Sequence, residues 1–160
     1  NISNIGGTVY ARQDLNITTA AKLDNSQGTV QADGKLNLQN GTGLQNQQGL
    51  IQANQLNVQT NSLNNHSGKI LQLGSSDSDI QTNGLLDNSD GQLISNGNKF
   101  SLKTGEINNK AGNISHAGND QLTITNQGEL NNQSGKLLSA SAISIDTQKV
   151  TNDSQNGQAG

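Results

Sequence analysis

The chain has 160 residues, 29% of them hydrophobic and only two, Tyr10 and Phe100, aromatic, too few for the thick core of an ordinary globular domain. Its net charge of −3, with the single arginine Arg12 and eight scattered lysines, provides no basic stripe to neutralise phosphates and argues against nucleic-acid binding. Without cysteine it has no disulfide or thiolate metal site, and no apolar run approaches the ~20 residues that membrane insertion requires.

Asn and Gln supply more than a quarter of the residues, a balance that suits a disordered chain unless a periodic order overrides it. Such an order begins at once. An apolar residue, any residue, Asn, two further residues and Gly recur from Ile2, Leu23, Leu44, Leu63, Leu86, Ile107 and Leu130, with a truncated copy at Val150 and spacings of 19 to 23 residues. The pattern predicts about seven coils over residues 2–149 and a partial coil over 150–160, the whole of 1–160 being one repeat segment of a larger protein.

Within each repeat the first element is a short strand ending in the invariant column Asn4, Asn25, Asn46, Asn65, Asn88, Asn109 and Asn132. Amides stacked at strand spacing can bond to one another, so this column is expected to be a buried or half-buried structural ladder. A turn follows at Gly7, Gly28, Gly49, Gly68, Gly91, Gly112 and Gly135, where glycine suggests a positive φ that a Cβ would oppose. The second element carries Val9, Val30, Ile51, Ile70, Leu93, Ile114 and Leu137. The third alternates its aliphatics in period two, as in Leu15/Ile17, Leu36/Leu38, Leu56/Val58, Phe100/Leu102 and Leu122/Ile124.

Three short strands per repeat of about 21 residues, and no helical spacing, predict an all-β right-handed parallel β-helix. A lone coil has too few aliphatics to offset the ordering of its backbone. Stacked coils merge those aliphatics into one core, and seven coils at ~4.8 Å give a rod of ~34 Å.

Departures from the pattern mark the candidate sites. Outward positions that hold Gln31 and Gln52 in early coils hold Leu71, Ile94 and Leu138 later, and with Leu73 these form a possible partner surface. The connection ahead of the third strand also lengthens in coils four to six, around 73–77, 96–99 and 117–121. Those loops could fold over the patch, the strand register could shift, or the patch could receive a protein receptor. Asp77, Asp79, Asp87 and Asp90 are the densest carboxylates, but the alignment places them on different faces, against an acid-base or calcium site. His66 lies in a turn and His116 replaces the small residue of the Ala11, Ala32, Ala53 column two coils away, too far to share a metal. No cofactor or metal site is expected. With Phe100 facing inward there is no exposed stack of rings for sugar binding.

Leu23-Asp-Asn-Ser-Gln-Gly-Thr-Val-Gln-Ala32 and Leu130-Asn-Asn-Gln-Ser-Gly-Lys-Leu137 resemble the haemagglutinin repeats of filamentous haemagglutinin and of contact-dependent growth inhibition exoproteins, over essentially all of residues 2–152. The resemblance implies a bacterial two-partner secretion protein, secreted or held at the cell surface, whose repeats form a non-enzymatic stalk displaying an adhesive or toxic module. It further implies an outer-membrane secretion partner that engages a region absent from this sequence. Two other readings compete with the stalk: an adhesin binding through the loops of coils four to six, and a β-helical polysaccharide-degrading enzyme.

Overall fold

A computed structural model describes residues 1–154, so the end of the expected partial coil, 155–160, lies outside the described residues. The described residues form strands and turns without a helix, wound into a parallel β-solenoid of about seven turns. One face stacks the first strand of every coil, from Ile2–Ser3 and Lys22–Asp24 through to Lys149–Thr151. Its register runs Ile2, Leu23, Leu44, Leu63, Leu86, Ile107, Leu130, Val150, always parallel. The repeat spacing in sequence is thus the coil spacing in space.

Second and third strands make the other two faces. They are separate in the first coil, as Thr8–Ala11 and Leu15–Thr19, but fuse into single strands, Thr29–Asn40 and Leu50–Thr60, in the next two. The expectation of three separate strands in every coil therefore fails there. The fused strands pair throughout, with a register irregularity between Ala32 and Lys35 where the chain bends. Small alanines at the bend, Ala32 and Ala53, are buried and let the corner stay tight.

Four apolar columns fill the interior. Leu23, Leu44, Leu63, Leu86, Ile107 and Leu130 face Val30, Ile51, Ile70, Leu93 and Ile114, and the third face adds Leu36/Leu38, Leu56/Val58, Phe100/Leu102 and Leu122/Ile124, all buried. Alternation along each strand turns every second side chain to solvent, which is why so hydrophilic a chain still owns a continuous core. Ile143 and Ile145 lie in register with Leu122 and Ile124 but are exposed, because no further coil covers them in the described residues.

Candidate functional site

At the end of each first strand the chain makes a four-residue turn, such as Asn25 to Gly28, closed by the Gly28 N–H donating to the Asn25 carbonyl at 3.0 Å. The Asn25 side chain is buried beneath it. Its amide donates to Asn46 Oδ1 at 2.8 Å and to the carbonyl of Leu50 at 3.1 Å. The same link runs from Asn4 through Asn46, Asn65, Asn88, Asn109 and Asn132 to Asn152, with every step at 2.7 or 2.8 Å. Each amide therefore ties its own turn to the coil above.

The glycine column works differently from the sequence expectation. Positive φ falls one residue earlier, on Gly6, Gln27, Gln48, Ser67, Asp90, Ala111 and Ser134, the third position of the turn. Glycine is needed at Gly28, Gly49, Gly68, Gly91, Gly112 and Gly135 because the preceding coil is too close. A Cβ there would lie 2.1–2.3 Å from the ladder asparagine's carbonyl one coil earlier, and for Gly7 a Cβ would meet the Asn4 side chain at 2.6 Å. Close approach between coils sets the residue, not the local dihedral angle.

At the second corner the column Ala11, Ala32, Ala53, Gln72, Ser95, His116, Ser139 runs in register. At Gln72, Ser95 and His116 the loops that follow are longer, whereas at Ser139 the connection is as short as in the first coil. Gln72 is buried, and its amide nitrogen donates to the carbonyls of Asn54, Gly74 and Ser76 at 3.2, 3.0 and 2.5 Å. Its carbonyl accepts from the Ser95 hydroxyl and, at 3.1 Å, from the Gly97 N–H. His116, also buried, bonds the Asp120 carbonyl through Nε2 at 3.0 Å and packs near Phe100 with ring centroids 6.2 Å apart. These three side chains hold the backbone of the loops they precede.

The frame of Asn, turn and glycine matches a family model described as haemagglutinin repeat over residues 1–48 and 130–160. Over those two blocks the chain is haemagglutinin repeat. The coils between the two matched blocks carry the same ladder in unbroken register. No curated protein and no solved structure matches the chain.

On this haemagglutinin-repeat rod, Leu71 and Ile94 pair directly, both half-buried, and Leu71 also pairs with Gln52, so the register does not shift. The four patch residues do not form one surface. Leu138 is separated from Ile94 by Ser115, and Leu73 lies past the corner on the loop, the two being 52% and 48% exposed. The loops stack on one another through bonds such as Asn98 N–H to Ser75 and Asp120 N–H to Asn98, and leave the patch partly open.

The carboxylates diverge between faces. Asp77 accepts the Lys99 N–H and Asp79 the Gln81 amide, at the third face, whereas Asp87 accepts the Ser89 N–H and the Asn108 amide on the first. Asp90 lies 3.9 Å from His66, whose Nδ1 contacts the Ser89 hydroxyl at 3.0 Å. Asp77 and Asp87 thus accept backbone N–H groups, Asp79 a side-chain amide, and Asp90 stands beside an imidazole. Among the described residues no three His, Cys, Asp or Glu side chains converge as a metal site.

A second polar column escaped the sequence reading. Thr19, Asn40, Thr60, Thr82, Thr104, Asn126 and Thr147 each follow the second aliphatic of the third strand by two residues. They face inward at the third corner, and most cap the return of the chain: Asn40 donates to Gly43, Thr60 to Ser62, Thr82 to Gly84, Asn126 to Glu129 and Thr147 to Lys149, at 2.8–3.3 Å. The signal was present as Thr or Asn in every repeat, but no single letter is invariant. Outside this corner an open groove of about 430 Å³ runs past Gln39, Gln59, Gln81, Asn61 and Asn83.

Proposed function

We propose that this chain is a length-setting stalk within a secreted surface exoprotein of bacteria, holding an adhesive or toxic module away from the producing cell. Haemagglutinin repeats together with a β-solenoid support a filament or adhesin-type segment, and the family is structural and adhesive. Its proteins are typically secreted surface adhesins. The observation that carries the stalk reading is the side-chain ladder from Asn4 to Asn152, which makes every coil the template for the next. A coil so built can be added or removed without changing its neighbours.

The secretion partner, the receptor and the displayed module belong to this proposal and lie with other parts of the parent protein. Tandem insertion of one coil, residues 86–106, tests it by small-angle scattering of the purified chain. The cross-section should hold while the length grows by ~4.8 Å per added coil. The exposed Leu73 and the half-open Leu71/Ile94 pair favour the receptor-binding adhesin as second reading. Saturable attachment of the chain to cells, lost on deletion of residues 73–77, would replace the stalk with that reading. Turnover of a polysaccharide, abolished by Asp79→Asn or Asp87→Asn, would replace both.

A further inference from the structure

Of the chain's four Asn-Gly pairs, three lie among the described residues: Asn40-Gly41, Asn83-Gly84 and Asn96-Gly97. An Asn-Gly pair can modify itself because no Cβ shields the glycine nitrogen. That nitrogen attacks the asparagine Cγ, the bond from Cγ to Nδ2 breaks, and ammonia leaves carrying the proton lost from the glycine nitrogen. Solvent water then opens the five-membered succinimide at either carbonyl, giving aspartate or its isoaspartyl isomer. Water is the only co-reactant. Two conditions govern the step: the side chain must be free to swing, and the glycine N–H must be released from its hydrogen bond.

The three pairs differ in both respects. The Asn40 side chain is buried and donates to the Gly43 carbonyl at 3.1 Å, while the Gly41 N–H donates to Thr19 at 3.0 Å. Gly97 is buried, and its N–H is shared between Gln72 Oε1 and Ser95 Oγ, both at 3.1 Å. Asn83 is exposed at the edge of the open groove, and a single bond, Gly84 N–H to the Asn61 carbonyl at 2.8 Å, restrains its nucleophile.

We propose that Asn83 is a site of spontaneous deamidation and isomerisation, gated by local opening of the corner between Ser78–Thr82 and Leu85–Asp87. The modification matters mechanically. The Gly84 carbonyl accepts the N–H groups of Gly105 and Glu106 in the next coil, at 3.0 and 3.3 Å. An isoaspartyl linkage lengthens the backbone at that corner and places a carboxylate beside Gln81 and Asn61, so an aged rod loosens first between coils three and five.

The test is to hold the 160-residue chain at mildly alkaline pH, folded and separately in urea, and to follow each pair by peptide mass spectrometry with isoaspartyl detection. Among the described pairs Asn83 should lead in the folded chain, at a rate about tenfold or more below its rate in urea, where the three pairs converge. Gly84→Ala is a suitable control, since its Cβ would meet one atom, the Asn61 carbonyl oxygen, at 3.3 Å. That variant should keep the fold and suppress the modification at Asn83. Asn40 or Asn96 leading in the folded chain, or Asn83 reacting equally fast folded and unfolded, would overturn the proposal.

Discussion

A Cβ on Gly91 would stand 2.3 Å from the carbonyl oxygen of Asn65, one coil earlier, and 2.8 Å from Oδ1 of Asn88 in its own turn. Neither contact can relax alone, because the Asn65 amide donates to Asn88 Oδ1 at 2.7 Å and to the Gln92 carbonyl at 3.1 Å. Gly91→Ala should therefore separate two coils and lower stability by about 2–4 kcal/mol in urea unfolding. A loss similar to that of an exposed substitution would mean that the coils are not packed so closely.

Ala111 holds φ at +53°, a left-handed conformation that costs an ordinary residue about 1–2 kcal/mol. It is exposed, so nothing but the backbone decides its replacement. Ala111→Gly should raise stability by about 0.5–1 kcal/mol, the strain relieved less the extra chain entropy glycine loses. Paired with Gly91→Ala it gives opposite signs at neighbouring turn positions, whereas a positive φ at the invariant glycines instead would make both substitutions destabilising.

Asn88 and Asn109 each join two coils through side-chain amides while buried in the core. Asn88→Leu or Asn109→Leu leaves the amide below without its acceptor and the Oδ1 above without its donor, at about 1–3 kcal/mol for each orphaned group. Thermal melts unchanged in both variants would show that the stacked amides contribute nothing.

Much of this architecture is legible in the sequence because a solenoid converts sequence period into spatial neighbourhood. Asn65, Asn88 and Asn109 share a letter, a spacing and, in space, a hydrogen-bonded line. What was not legible came from relations between coils that no single repeat displays. Gly91 looks like a turn residue until the Asn65 carbonyl one coil earlier is placed against it. Gln72, Ser95 and His116 look like scattered substitutions of the alanine column, although they coincide with the lengthened loops whose backbone Gln72 and His116 grip. Leu71 and Ile94 were legible as outward residues, but the corner that sets Leu73 apart from them was not.

Two carboxylates on the first face give stability a pH dependence. Burial raises the Asp24 carboxyl, but hydrogen bonds from Lys22 and Ser26 outweigh it and hold the group below its ordinary value. The Thr151 hydroxyl, then Lys149 at 2.9 Å, lowers Glu129 likewise. A depressed carboxylate contributes stability that is present above its unfolded value and is lost as pH falls through the folded one. Melting temperature should therefore decline as pH drops below about 4, and Asp24→Asn should flatten that decline. An equally steep decline in Asp24→Asn would remove this group from the explanation.

The corner at Gln72 sets a last expectation, since one buried side chain there serves both its own loop and the next. Its nitrogen holds the carbonyls of Asn54, Gly74 and Ser76, and its oxygen receives the Ser95 hydroxyl and the Gly97 N–H. Gln72→Ala restores the alanine of coils two and three but keeps the longer loop, leaving those backbone groups buried with fewer partners. Stability should fall by about 2–4 kcal/mol, and the Gly97 amide should exchange with solvent faster than the ladder-face amides. Gln52→Ala, at an outward and half-buried position in coil three, should change stability by less than about 0.5 kcal/mol. If instead Gln72→Ala leaves Gly97 protected, the loops of coils four to six are held by their own stacking, and the polar corner is a consequence of their length and not its cause.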